Sequence, residues 1–302
     1  MTARRYGSPV GFKQALEDRL RRRAQETHAN VVRLRQRSVF ERFLARVVAH
    51  LGDRVIVKGG VALQLRLEDA RTTRDLDLRM AGDPSLLLDD LRRAAQLALD
   101  GDFLTFSVEV DPKHATIEGD GVAYEGQRFR VEAALAGKVY GSRFGLDVGF
   151  GDSMAYPPET LSSGDLFSFA GISPFSVRVY AREVHVAEKL HALTQPRARE
   201  NSRVKDLPDL ALLGTTGPFE SAALREAIRA TFAQRTVQEV PSSIPAPPES
   251  WAAPYANMVE ENALRWTTLA EVTEAVRAFL NPVLRGDDGV WAPELWSWQA
   301  RG

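Results

Sequence analysis

The chain has 302 residues, 44% hydrophobic and 26% charged, values of a folded globule that exclude a disordered, collagen-like or fibrous chain. It contains no cysteine, which excludes disulfides, thiolate metal sites and a cysteine nucleophile. The net charge of -1 conceals a split, because residues 1–50 hold twelve Lys or Arg against four acids, an excess of +8 that leaves -9 for the rest. Clustered cations of this kind suit either a polyanionic partner, which repays them by counterion release, or a solvated helix face. No run approaches the ~18 consecutive apolar residues of a membrane span, and MTARRYGSPVGFK has no apolar stretch to serve as a signal peptide. A cytoplasmic protein with no membrane association is expected.

After Pro9, Leu16, Leu20, Val31, Leu34, Val39, Phe43 and Val47 recur at roughly helical spacing, with arginines between them. Val55-Ile56-Val57 is a short β-branched strand ending at Lys58-Gly59-Gly60, and Val61 to Leu65 suit a short helix. Arg71 to Met80 alternates with period two, placing Leu76 and Leu78 on one face and Asp75 and Asp77 on the other. A helix follows from Ser85 to Asp100, then strands at Phe103 to Val110, Gln127 to Leu135 and Phe144 to Phe150. Beyond Asp152 the texture changes, and a boundary near residue 165 divides the chain into domains 1–165 and 166–302. Val177 to Leu193 becomes helical in its second half. Helices are also expected at 204–213, 221–232 and 269–280, with the proline-rich segment 241–254 as extended linker.

The chemistry centres on Gly59-Gly60 at a strand-to-helix turn, followed by Asp75-Leu76-Asp77. Glycines at such a turn let backbone N–H groups approach a phosphate, and the helix N-terminus adds attraction. Side chains at i and i+2 of a strand share a face, so Asp75 and Asp77 are placed to hold one or two Mg²⁺ ions. Asp147, mid-strand among apolar neighbours, is the candidate third carboxylate; unpaired there, its charge would cost several kcal/mol. Two such ions neutralise a leaving pyrophosphate and acidify an attacking hydroxyl. Each element alone has a plain structural explanation, a tight turn or a solvated strand face, and the order of the elements carries the argument. The five histidines do not suggest a metal site: His185 and His191 are six apart on different helix faces, and His28, His50 and His114 stand alone. Trp291, Trp296 and Trp298 suit anchoring of the C-terminal tail better than base stacking.

That order resembles the DNA polymerase β superfamily of nucleotidyltransferases. The stretch VKGGVALQLRLEDARTTRDLDL is similar to the signature of the AbiEii/AbiGii-type nucleotidyltransferase toxins, in which a Gly-Gly pair leads to an Arg-x-Thr-x-Asp-x-Asp pattern. A second block of that pattern stands downstream as AEKLHAL, with Lys189, and RVKDLPDL, with Asp206 and Asp209. The resemblance covers about residues 55–213.

It implies an α/β (α+β) fold, a polymerase β-like domain with a mixed sheet followed by a mostly helical C-terminal domain. It also implies a metal-dependent transfer of NMP from NTP to the 3′ end of tRNA or another RNA acceptor, with an antitoxin encoded alongside. The implied catalytic set is Asp75, Asp77, Asp147, Lys189 and Asp206, the first three holding Mg²⁺. The nucleotide falls to Lys58, Gly59, Gly60, Arg74, Lys189 and Asp209. Asp206 has alternative uses, in supporting Lys189 or Arg203 or in capping a helix, and Pro208 then fits a first helical turn. The rival activities are transfer to a small molecule or a protein hydroxyl, and catalytically inert binding of nucleotide or RNA.

Overall fold

A computed structural model describes residues 6–27, 29–68, 70–99, 101–112, 126–150, 156–196, 203–235 and 238–300. Two long helices come first, α1 (Pro9–Thr27) and α2 (Val31–Leu51). Phe12, Leu16 and Leu20, spaced four apart on α1, are fully buried, as one helical stripe requires. Strand β1 (Val55–Lys58) runs directly into α3 (Gly59–Arg66), and β2 (Asp75–Met80), α4 (Leu87–Ala95), β3 (Leu104–Val110) and β4 (Gly126–Leu135) follow. Next come β5 (Lys138–Val139), β6 (Phe144–Gly149), β7 (Glu159–Ser162) and β8 (Ser176–Val179).

These strands form one mixed sheet in the order β3-β4-β6-β2-β1-β8-β7, with β5 beside β4. The pairs β2–β6 and β1–β8 are parallel. Residue 165, where composition suggested a division, lies between β7 and β8, two paired strands of this sheet. One face of the sheet packs on α1, α2 and α4 through Phe40, Phe43, Leu87, Phe129, Val131 and Leu146. The other face, at β2, β4 and β6, carries the polar members of the alternation.

A second core gathers α5 (Arg182–Thr194), α6 (Asp206–Gly214), α7 (Ser221–Arg235) and α9 (Leu269–Arg285) with Leu63 of α3 and the hairpin strands β9 (Val290–Ala292) and β10 (Ser297–Gln299). Trp291 is fully buried, and the indole N–H groups of Trp291, Trp296 and Trp298 donate to the carbonyls of Gly214, Ala275 and Phe279. The tryptophans therefore fasten the tail to the helical core.

Two sequence expectations are corrected. The segment 241–254 is not extended throughout: Trp251 is buried in a helical turn that enters α8 (Ala252–Asn262). Pro254 stands third in α8, inside the first turn, where its missing N–H has no intrahelical partner to lose. The arginines of α2 are not a solvated face either. Arg42 and Arg46, four apart and each 1% exposed, converge on Asp102, and Arg35 forks onto Glu17.

Candidate active site

The sheet register lines up four charged residues. Lys58 of β1 stands beside Asp77 of β2, Asp77 beside Asp147 of β6, and Asp147 beside Arg128 of β4. Neighbours in register point to the same face of a sheet at ~4.8 Å spacing, so two adjacent carboxylates are flanked by one cation on each side. Asp75 lies two residues before Asp77, opposite Gly145.

Two glycines make room for these carboxylates and a third for Thr73. A Cβ on Gly59, which has φ +64°, would collide with the Asp77 carboxylate. On Gly145 it would stand 2.5 Å from Asp75 Oδ1, and on Gly60 2.7 Å from Thr73 Cβ. Gly59 is thus needed twice, for its left-handed backbone and for the approach of Asp77. Helix α3 begins at this glycine, and its N-cap Lys58 provides no side-chain cap. Its first-turn N–H groups are the kind that receive an anion.

Lys189 and the two later aspartates form a second cluster. Lys189 Nζ lies 3.0 Å from Asp206 Oδ1 and 2.5 Å from Asp209 Oδ2. Arg71 grips both oxygens of Asp209 at 2.7 Å. Asp206 opens α6 without acting as its cap, and Pro208 sits in the first turn. Burial raises the Asp209 carboxyl, but Arg71 and then Lys189 outweigh it and hold the group well below the usual carboxylate range. For Lys189, burial pulls downward while Asp209 and Asp206 raise the ammonium above its ordinary value. His185, one turn before Lys189, is buried, and desolvation with the Lys189 charge pushes its imidazole down to about 3, so it is neutral. His50 stands 3.5 Å from Asp90, and His28 and His114 lie outside the described residues.

The two clusters share one electrostatic environment. Burial and then the neighbouring Asp147 push the Asp77 carboxyl up to about 6, against the pull of Lys58 and Lys189. Lys58 Nζ also lies 5.8 Å from the centroid of the Tyr180 ring. Arg74 is exposed at the mouth of β2. Among the sequence-selected residues, Lys58, Gly59, Asp75, Asp77 and Asp147 are therefore brought together on the sheet, and Lys189, Asp206 and Asp209 on α5 and α6.

The site also includes residues the sequence reading passed over. Arg128 forks onto Asp147 with both contacts at 2.6 Å. Asn262 of α8 accepts from the Thr72 N–H at 2.8 Å, tying the helical core to the loop that enters β2. Arg71 was within reach, since it opens RTTRDLDL. Arg128 and Asn262 have no local signal, because their partners are 19 and 190 residues away.

A hard divalent cation fits this donor set. The donors are all carboxylate oxygens, and burial together with Asp147 disfavours the charge on Asp77, which a cation would relieve. Gly59 and Gly145 let the Asp77 and Asp75 carboxylates lie against bare backbone, where a Cβ would collide with them. Among the described residues no three acidic or imidazole side chains converge as a closed ligand set. The reason is visible in their directions: Asp75 leans toward Gly145, Asp77 toward Gly59, and Asp147 toward Arg128.

Comparison with known proteins gives this arrangement a relationship. A family model described as nucleotidyl transferase AbiEii toxin, type IV toxin–antitoxin system, matches residues 42–286. The fold is similar to that of MenT4, a nucleotidyltransferase toxin from Mycobacterium tuberculosis H37Rv, with 17% identity, a TM-score of 0.58 and 86% of each chain covered. JHP933 from Helicobacter pylori aligns at 16% identity and a TM-score of 0.47, over 83% of this chain and 92% of that one. Among curated protein sequences no match was found. With most of its length under the family model, and with its paired strand aspartates beside a glycine turn, the chain belongs to the AbiEii nucleotidyltransferase toxin family and is a nucleotidyltransferase.

Proposed function

We propose that this enzyme transfers NMP from an NTP to the 3′ end of tRNA, with Mg²⁺ held by Asp75 and Asp77 and completed by Asp147, and that it acts as a toxin in the cytoplasm under an antitoxin encoded alongside. The observation that carries the reading is the pair of side-by-side carboxylates, Asp77 and Asp147, beside an uncapped helix start at Gly59. The first-turn N–H groups of α3 bind the triphosphate. Lys189 has three ammonium donors, of which Asp206 and Asp209 engage two; the third is directed to a phosphate oxygen. Exposed Arg74 adds charge at the mouth. The 3′-hydroxyl oxygen forms its bond to the α-phosphorus as the bond from that phosphorus to the α–β bridging oxygen breaks. Pyrophosphate leaves, and the hydroxyl proton passes to a carboxylate of the row. Bound Mg²⁺ supplies neutralisation of the phosphates and acidification of the hydroxyl.

The test is incubation with total RNA, Mg²⁺ and each labelled NTP in turn. Label at tRNA 3′ ends, absent with Asp75→Asn, is the expected result. Label confined to protein or to small molecules overturns the acceptor. One observation favours that second reading: Arg35, Arg42 and Arg46 are engaged by Glu17 and Asp102 and so do not extend a polyanion-binding face.

A further inference from the structure

Asp147 is one of the three carboxylates assigned to the cation, yet both its oxygens are occupied by a guanidinium. Arg128 Nε meets Oδ1 and Arg128 Nη2 meets Oδ2, each at 2.6 Å. The pair is set by the register of β4 against β6, where the two residues are direct neighbours. A planar fork takes one lone pair on each carboxylate oxygen and sets a positive charge against the group a metal ion would bind, so the two cations compete for it.

The row Lys58, Asp77, Asp147, Arg128 makes the consequence specific. Asp77 receives no such fork, whereas each oxygen of Asp147 accepts from Arg128. The two carboxylates are nearest neighbours across parallel strands, so a cation held by both would compete with Arg128 for Asp147. Arg128 is free to move: its side chain is 38% exposed on the open sheet face, against 1% for Arg42 and Arg46 on Asp102. Two residues along β4, Arg130 makes a comparable contact with Asp111, at 2.9 Å through Nε, so a second acceptor lies close to a displaced guanidinium.

We propose that Arg128 is the resident counter-cation of Asp147 and competes with the divalent ion for it, so that loading the second half of the metal site requires Arg128 to swing off the carboxylate. The inference rests on the metal-dependent reading above and adds a gate to it. Once displaced, the guanidinium presents a planar fork suited to phosphate oxygens. Arg128 is accordingly a positioning residue that acts through Asp147.

The test measures Mn²⁺ binding to the full chain without nucleotide, by the loss of the free-ion electron paramagnetic resonance signal, alongside thermal melts. Arg128→Gln keeps the aliphatic stem and removes the fork. It should bind Mn²⁺ about fivefold more tightly than wild type, the scale of a half-exposed ion pair. The gain should vanish in the double variant Arg128→Gln with Asp147→Asn. If Arg128→Gln does not fold, Arg128→Lys serves instead, with a gain of at least about twofold, because a point charge replaces a fork. Affinities within twofold of wild type, or no binding by either protein, would make Arg128 an ordinary sheet-face pair and overturn the gate. The metal reading fails separately, if Asp77→Asn leaves Mn²⁺ binding unchanged.

Discussion

At Asp77 the cost of the site falls on one carboxyl. Its proton affinity is raised because burial and Asp147 both disfavour the charge, so in the absence of a cation the ionised group opposes folding. Asp77→Asn should therefore lose more than about nine-tenths of transfer activity while melting at or above the wild-type temperature; a variant that melts lower, or transfers normally, removes Asp77 from the metal site. Lys189 behaves in the opposite way. From sequence it is implied only as a catalytic and nucleotide-binding residue. Its 9% exposure and two carboxylate partners make it part of a buried network as well. Lys189→Ala takes the near cation from buried Asp206 and leaves Asp209 to Arg71 alone, and should cost about 3–5 kcal/mol in urea unfolding besides stopping transfer. A loss below about 1 kcal/mol would mean that Arg71 alone satisfies Asp209. The carboxylates were legible in the sequence because i, i+2 spacing on a strand is a local fact. The pairing of Lys189 with Asp206 was one of the uses the sequence offered for Asp206; the contacts of Asp209 with Lys189 and Arg71 were not legible, since they depend on how α5, α6 and the loop before β2 pack together.

Among the elements, those with strong periodicity were legible and those held by distant partners were not. Helices α1 and α2 and strands β2 to β4 show their apolar stripe or alternation directly. Helix α8 lies in a segment whose prolines point to an extended linker. It forms because Trp251 and Tyr255 enter the second core and its proline falls where helices tolerate one. The basic excess of residues 1–50 is a further case in which charge counting misjudges the element. Charge alone does not distinguish an arginine aimed at solvent from one forked onto a buried aspartate, and Arg42 and Arg46 are the latter. On α1, Arg21 and Arg22 are exposed and Arg19 is half-buried, while Arg4 and Arg5 lie outside the described residues. If tRNA is the acceptor and α1 holds it, three phosphate contacts give a slope of about -2 to -3 in log affinity against log salt. Filter binding from 50 to 300 mM salt reads this directly. A slope near -8 would require the buried arginines to be accessible, and contradict their pairing.

Across the whole molecule, the sheet core and the helical core are joined beside a cleft of about 920 Å³, lined by α1, α2, the loop after α3 and the end of α8. Arg33 bridges its walls, donating to the carbonyls of Ala70 and Glu261. Asn262, which lines the same cleft, accepts from Thr72 in the loop that leads to Asp75. The walls are of mixed sign, with Arg19, Arg22 and Arg37 facing Glu26, Glu68 and Glu260, so the cleft is not a track for a polyanion. One wall residue, Glu41, is raised to about 7, by burial first and then by Asp165, against Arg42 and Arg37. Its folded value exceeds the 4.5 of a free glutamate, so between those limits the folded chain binds more protons than the unfolded one, and stability falls as pH rises. The contribution is fully present below about pH 4.5 and gone above about pH 7. Asp77 titrates in the same sense near 6, His185 opposes it below its ordinary 6.5 because it is neutral when folded, and Asp209 opposes it only at acid pH, so the slope above about pH 6.5 belongs mainly to Glu41. Glu41→Gln should flatten it, raising the urea midpoint at pH 8 relative to wild type while changing it little at pH 5. An unchanged difference between the two pH values in Glu41→Gln would show that Glu41 is ionised throughout, held by Arg37 and Arg42 in an open cleft.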